Sequence, residues 1–123
     1  MKKSDLKVIT STKRLLTYIF KITEKCPVKY RYSFIIRMHN YILDSIEALY
    51  MANSLDLKDS KRYDYQNMAK TKLRLLDYIC EASKDCACID MHQYDHISKE
   101  IYSILNMLDA WMNSDASRKE ELV

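Results

Sequence analysis

The sequence contains no glycine and a single proline, Pro27, among its 123 residues. Gly-rich phosphate loops, dinucleotide-binding turns, nucleophile elbows and two-residue β-hairpins depend on a positive φ or on close approach to the backbone, which glycine supplies. These motifs are therefore excluded in recognisable form. Apolar residues make up 48% of the chain, which is enough for one core in a domain of this length. The composition predicts a helical protein with short polar connections.

Long apolar runs are also missing. No stretch reaches the roughly 18 uncharged apolar residues of a membrane span, and the charged N-terminus is not followed by the apolar segment of a signal peptide. Four cysteines without an export signal are typical of reduced thiols rather than of a disulfide framework. We therefore expect a cytoplasmic protein that does not contact a membrane.

Apolar residues recur at intervals of three and four over four segments, which is the period of a helix with one buried face. Pro27 separates the first segment from the second, because the residue before a proline avoids the α region. Asp56 or Asp59 is the expected N-cap of the third helix, and Asp90 with Gln93 forms a capping-box pair at the fourth. The predicted helices span about residues 4–25, 30–53, 60–84 and 90–113.

The predicted connections are about four to six residues long, a length that favours antiparallel neighbours. We therefore expect an all-α fold, an antiparallel up-down-up-down four-helix bundle in which residues 1–113 form one domain. The remaining residues, 114–123, are mostly small or charged, and we expect this C-terminal tail to fray.

The net charge of +3 conceals an uneven distribution along the chain. Residues 1–37 carry a net charge of +8 and residues 58–74 carry +4, whereas residues 38–57 carry −3 and residues 75–123 carry −6. A concentration of positive charge of this kind indicates a polyanionic partner.

Helical spacing arranges the basic residues of the first and third predicted helices in two rows. Rows of Lys and Arg bind phosphates without reading base sequence, although a solvated helix face is the more ordinary explanation for one row alone. Two rows of the same sign favour nucleic-acid binding. The predicted nucleic-acid-binding residues are Arg14, Lys21, Lys25, Arg31, Arg37, Arg62, Lys70 and Arg74.

Most of the ten tyrosines fall outside the predicted core positions. Exposed Tyr rings are enriched at protein interfaces, and others cover the core with the hydroxyl in water. Tyr63 and Tyr65, which follow Arg62 in the sequence, are candidates for stacking on nucleic-acid bases.

The closest approach to a metal-binding motif is the series Cys86, Cys88, His92 and His96. Two thiolates and two imidazoles suit Zn²⁺, but Cys-x-Cys lacks the usual two to four intervening residues, so buried thiols and solvent-facing histidines are the preferred interpretation. The sequence has no Glu-x-x-His pair for a di-iron bundle and no recognisable catalytic constellation. We therefore expect no metal, no cofactor and no enzymatic activity.

Four short stretches in the predicted helices form an ordered pattern. They are Lys21–Ser33, Ile46–Asn53, Leu73–Leu76 and Ile104–Trp111. In the first of them a helix ends at Pro27 and a basic segment follows. In this order, over about residues 5–113, they resemble the accessory variability determinants of diversity-generating retroelements. Cys26 stands where that family usually has Phe, and Ile35 and Ala110 stand where it often has Gly.

This resemblance implies a four-helix bundle assembled as a homopentamer. It also implies a non-catalytic partner of a reverse transcriptase that binds RNA and DNA through basic surface and supports mutagenic retrohoming. The same fold includes proteins encoded in intervening sequences of bacterial ribosomal RNA genes. A protein of that type, or an oligomeric protein-interaction module, is the alternative.

Overall fold

The computed structural model describes residues 3–122, with side chains from residue 7 onward, and within this range it contains four α-helices and no strand. The helices are α1 (Lys3–Thr23), α2 (Ile36–Ser54), α3 (Ser60–Asp85) and α4 (Met91–Glu121). The prediction of an all-α chain with four helices is confirmed. No helix in the described part of the chain is long and apolar enough to cross a membrane.

The starts of α3 and α4 follow the predicted capping residues. The carboxylate of Asp59 accepts a hydrogen bond from the Lys61 backbone N–H at 2.9 Å. At α4, Asp90 Oδ1 accepts from the Gln93 N–H at 2.7 Å, and Gln93 Oε1 accepts from the Asp90 N–H at 3.0 Å. These side chains accept hydrogen bonds from backbone N–H groups that have no partner within the helix. The two helices therefore begin close to the predicted residues.

The start of α2 differs from the regular helix predicted from about residue 30. Pro27 is extended, with φ −56° and ψ 137°, and the chain re-enters helix through a 3₁₀ turn (Val28–Tyr30) and a π-helical turn (Arg31–Ile35). The hydroxyl of Tyr30 donates to the Cys86 carbonyl at 2.8 Å, which ties this irregular segment to the α3–α4 connection.

The end of α4 also differs, because the helix continues to Glu121 instead of ending near residue 113. The segment that was expected to fray carries Asp115, whose carboxylate is buried. Arg62 Nε donates to it at 2.7 Å and Gln66 Nε2 at 2.9 Å, both from α3. These hydrogen bonds give the last turns of α4 a tertiary anchor that hydrophobic periodicity does not reveal.

The core forms where α1 packs against α2 and α4, and where α3 packs against the same two helices. Its largest fully buried side chains are Leu15, Ile19, Met38, Ile42, Leu49, Leu73, Leu76, Ile97, Ile101, Ile104, Leu108 and Trp111. Burying a side chain of this size contributes about 1.5–3 kcal/mol, so packing of the helix faces is the main stabilising term.

Candidate nucleic-acid interface

Positive charge is concentrated on α1 and on the segment that leads into α2. Residues 7–37 contain eight Lys and Arg residues and one acidic residue, Glu24, and all eight basic side chains are exposed. Within the described chain, no ion pair joins any of them to a carboxylate. We call this set the N-terminal basic surface: Lys7, Lys13, Arg14, Lys21, Lys25, Lys29, Arg31 and Arg37.

Five of the predicted contact residues are therefore exposed and without an ion pair in the described chain. Arg14 and Lys21 lie seven positions apart on α1, so they project on the same side of the helix. Lys25, Arg31 and Arg37 extend the charge through the connection to the first turn of α2. Arg14 Nη2 donates to Ser11 Oγ at 3.2 Å, and the side chain lines a shallow pocket together with Glu100 of α4.

Arg62, predicted to contact phosphate, instead lies in the interior with only 6% of its surface exposed. Its Nε and Nη2 donate to Asp115 Oδ2 and Oδ1 at 2.7 and 3.0 Å, and its Nη1 donates to the Leu55 carbonyl at 3.0 Å. Its guanidinium also lies 5.2 Å from the centre of the Trp111 ring. Arg62 is therefore removed from the predicted contact set, as a correction.

A signal for this burial is present in the sequence. Arg62 and Gln66 extend backward the row of buried α3 positions that continues at Ala69, Leu73 and Leu76, at alternating steps of four and three. A charged residue in a core row needs an opposite charge from another helix, and Asp115 supplies it. The spacing of charged residues on α3 does not by itself indicate this burial.

Electrostatics at Asp115 are dominated by two opposing effects. Burial raises the pKa of the carboxyl, but the hydrogen bonds from Arg62 and Gln66, together with the charges of Arg62 and Arg118, outweigh it. The pKa of Asp115 consequently lies below its ordinary value, and the residue is ionised at neutral pH.

The other predicted α3 residues do not form a free basic row either. Lys70 Nζ lies 2.6 Å from Asp109 Oδ1 on α4, and the neighbouring Lys72 lies 3.3 Å from Asp44 Oδ2 on α2. Arg74 is exposed, forms no ion pair in the described chain and lines a shallow pocket with Asp77. The second of the two predicted rows is thus largely neutralised by carboxylates of adjacent helices, and the N-terminal basic surface carries the uncompensated charge.

An open groove of about 460 Å³ adjoins the N-terminal basic surface, and the sequence did not predict it. Its walls include Phe20 from α1, Arg31 and Tyr32 from the π-helical turn, and Ile36 and His39 from α2. We call it the α1–α2 groove. The sequence carries no local signal for this groove, because the exposure of Phe20, Tyr32 and Ile36 is set by tertiary packing.

His39 holds one wall of the α1–α2 groove in place. Its Nε2 is hydrogen-bonded to Thr23 Oγ1 at 2.9 Å, and its ring lies 4.1 Å from that of Phe20. Burial lowers the pKa of His39, so the neutral imidazole is favoured near pH 7. The groove wall is therefore fixed without adding a further charge.

The cysteines meet near one end of α3. The Cys26 thiol donates to the Cys88 carbonyl at 3.1 Å, while burial, followed by a hydrogen bond with Cys26, raises the pKa of Cys88 to about 12. His92 and His96 are exposed, and the His96 ring packs on Tyr18 at 4.3 Å. Among the described residues, no group of three or more His, Cys, Asp or Glu side chains is arranged to hold a metal ion.

Chemically, the arrangement suits binding of polyanions, since unpaired Lys and Arg side chains exchange their counterions for phosphates. Neither a protein-family model nor a curated protein matches this sequence. Function is therefore inferred from the surface chemistry above and from the motifs in the helices.

Proposed function

We propose that this chain is a non-catalytic, nucleic-acid-binding accessory protein of a diversity-generating retroelement, which partners a reverse transcriptase in mutagenic retrohoming. The observation that supports nucleic-acid binding is the N-terminal basic surface, eight exposed cations with no carboxylate within ion-pair distance in the described residues. The reverse transcriptase as partner, and the cytoplasmic location, rest on the resemblance and the sequence. The proposed contact residues are Arg14, Lys21, Lys25, Arg31 and Arg37, with Arg74 as a separate one.

The proposal includes the antiparallel up-down-up-down arrangement of the helices. Pairs between α3 and α4 support it, because Arg62 meets Asp115, Lys70 meets Asp109 and Glu81 meets Tyr94, so residue numbers rise on one helix as they fall on the other. The same order holds between α2 and α3, where Lys72 meets Asp44 and Arg62 reaches the Ala52 carbonyl.

Self-association is the second structural part of the proposal. Ile36, Leu43 and Tyr50 lie seven positions apart along α2 and are 43%, 45% and 66% exposed. An apolar row at this spacing on an exposed face is typical of helix-to-helix contact between subunits. A homopentamer follows from the resemblance alone, and the same row favours the alternative of a protein-interaction module.

Light scattering coupled to size-exclusion chromatography tests the self-association. Leu43→Lys places a charge in the middle of the exposed row, so we expect the variant to elute as a monomer with an unchanged circular-dichroism spectrum. Lys99→Ala, an exposed change on α4, is the control and should keep the native mass. A monomeric wild-type protein would contradict this part of the proposal.

Charge reversal tests the nucleic-acid contact. The triple variant Lys21→Glu, Lys25→Glu and Arg31→Glu should bind RNA and DNA at least tenfold more weakly at fixed salt, because three phosphate contacts become repulsive. The matched control, Lys58→Glu, Lys61→Glu and Lys119→Glu, makes the same change in net charge outside the N-terminal basic surface and should retain more affinity. Equal losses in the two variants would remove the surface from the proposal.

The genomic neighbourhood separates the retroelement from the alternative. A nearby reverse-transcriptase gene with a template repeat supports the retroelement assignment. A location inside a ribosomal RNA gene supports the intervening-sequence type instead.

A further inference from the structure

We infer that the α1–α2 groove binds unpaired bases of a single-stranded nucleic acid, with Tyr32 as the main stacking surface and Phe20 as the second. This inference rests on the proposed nucleic-acid binding and names the strand type that it selects. It assigns a role to two aromatic residues that were not among the predicted contacts.

Tyr32 is the most exposed of the large hydrophobic residues whose side chains the structure describes, with 81% of its surface accessible. It lies in the π-helical turn directly after Arg31, and both residues line the α1–α2 groove. Isolated π-helical turns are frequent at functional sites, because they redirect side chains that a regular helix would spread around its axis. An aromatic face beside an unpaired guanidinium is the combination that single-strand-binding proteins use.

Phe20 supplies a second ring from the opposite wall. It is partly exposed, and its contact with the His39 ring holds it at the groove surface. The groove volume of about 460 Å³ lies within the range of about 300–1,000 Å³ typical of pockets for small organic groups. There is thus room for a base to leave its strand and lie against a ring.

The surrounding charge decides between possible occupants. One cation, Arg31, and one carboxylate, Glu24, form part of the wall. Lys21, Lys25 and Arg37 each directly follow a groove residue in the sequence, so the surrounding charge is net positive. A strand whose base enters the groove would therefore find cations for its flanking phosphates. Bases inside a duplex are already stacked and paired, so a duplex would use the cations but not the rings.

The test compares two fluorescein-labelled probes of identical sequence, a single-stranded DNA of about 15 nucleotides and its duplex, by fluorescence anisotropy with the full chain. Tyr32→Leu should weaken binding of the single strand by about tenfold and change binding of the duplex less than twofold. Tyr32→Phe retains the aromatic face and should bind both probes as the wild type does. Tyr102→Leu, an exposed tyrosine on α4 outside the groove, should also leave both unchanged.

The outcomes separate the inference from the proposed function. Salt-sensitive binding of the single strand by the wild type with no loss in Tyr32→Leu overturns the inference alone, because the cations would then bind the strand without the ring. Equal loss on both probes also overturns it. A wild-type protein that binds neither probe overturns the proposed function and the inference together.

Photocrosslinking gives a second readout that does not depend on affinity. A single strand containing 4-thiothymidine should crosslink to the tryptic peptides Tyr32–Arg37 and Leu15–Lys21, which carry the two rings. Crosslinks confined to peptides of α3 or α4 would contradict the inference.

Discussion

At the scale of single residues, the pair formed by Arg62 and Asp115 shows where reading charge along a sequence fails. Arg62 lies beside Lys61 in a basic stretch, and nothing in the local composition distinguishes the two. Lys61 is exposed, whereas Arg62 continues a core row and reaches a carboxylate that lies 53 positions away. Such a partner is fixed by tertiary packing, so only the helical register of Arg62 could have indicated its burial.

Asp115→Asn should destabilise the protein by about 3 kcal/mol, because it leaves the buried Arg62 charge without a counterion. Asp109→Asn is the matched control, since it breaks a half-exposed pair with Lys70 and should cost less than about 1 kcal/mol. Urea unfolding at pH 7 measures both changes. Equal losses in the two variants would contradict the account of the buried pair.

The same pair predicts how stability depends on pH. The pKa of Asp115 is lower in the folded chain than in the unfolded one, so its contribution is present above the unfolded value of about 3.9 and is lost as the pH falls through the folded value. The free energy of unfolding of the wild type should therefore fall more steeply than that of Asp115→Asn between pH 5 and pH 2 (roughly the window that brackets these pKa values). Parallel curves would show that Asp115 does not titrate differently on folding.

At the scale of helices, capping chemistry predicted the starts of α3 and α4, whereas the irregular start of α2 could not be predicted. Asp59 and Asp90 act through neighbours two and three residues away, so sequence alone contains the necessary information. The π-helical turn after Pro27 depends on where Tyr30 meets the Cys86 carbonyl of a distant connection. The α1–α2 groove is a consequence of that turn and was missed for the same reason.

The end of α3 allows a test at this scale. Ala87 adopts φ 62°, and the Cys88 N–H bonds to the Ser83 carbonyl at 2.8 Å while the Ala87 N–H bonds to that of Lys84 at 3.0 Å. This is the Schellman pattern, in which glycine usually occupies the left-handed position. The absence of glycine from the sequence leaves an alanine in that conformation.

Ala87→Gly should stabilise the protein by about 0.5–1 kcal/mol, since removing the Cβ relieves about 1–2 kcal/mol of left-handed strain and the added flexibility of the unfolded chain offsets part of it. Ala82→Gly, within α3, should instead destabilise by about 0.5–1 kcal/mol. Thermal unfolding distinguishes the two directions. A lower melting temperature for Ala87→Gly would show that the left-handed conformation of Ala87 does not destabilise the protein.

At the scale of the whole molecule, the sequence established that positive charge lies in the first third of the chain but not which charges remain uncompensated. Adjacent helices place Asp109 against Lys70 and Asp44 against Lys72, so most of the predicted α3 row is neutralised. Residues 7–37 have one acidic residue of their own and no ion pair within the described chain. The net charge of each segment therefore predicted which cations stay without an ion pair better than the helical spacing of individual residues did.

The dependence of single-strand affinity on salt concentration probes the proposed nucleic-acid interface itself, because its slope reports how many phosphates the protein neutralises. For the wild type, the logarithm of the association constant should fall linearly with the logarithm of salt concentration. In the variant Lys21→Glu, Lys25→Glu and Arg31→Glu, the slope should be shallower by about 2, since each lost contact with a single strand contributes about 0.7. Identical slopes for the two proteins would contradict the assignment of the N-terminal basic surface as the nucleic-acid interface.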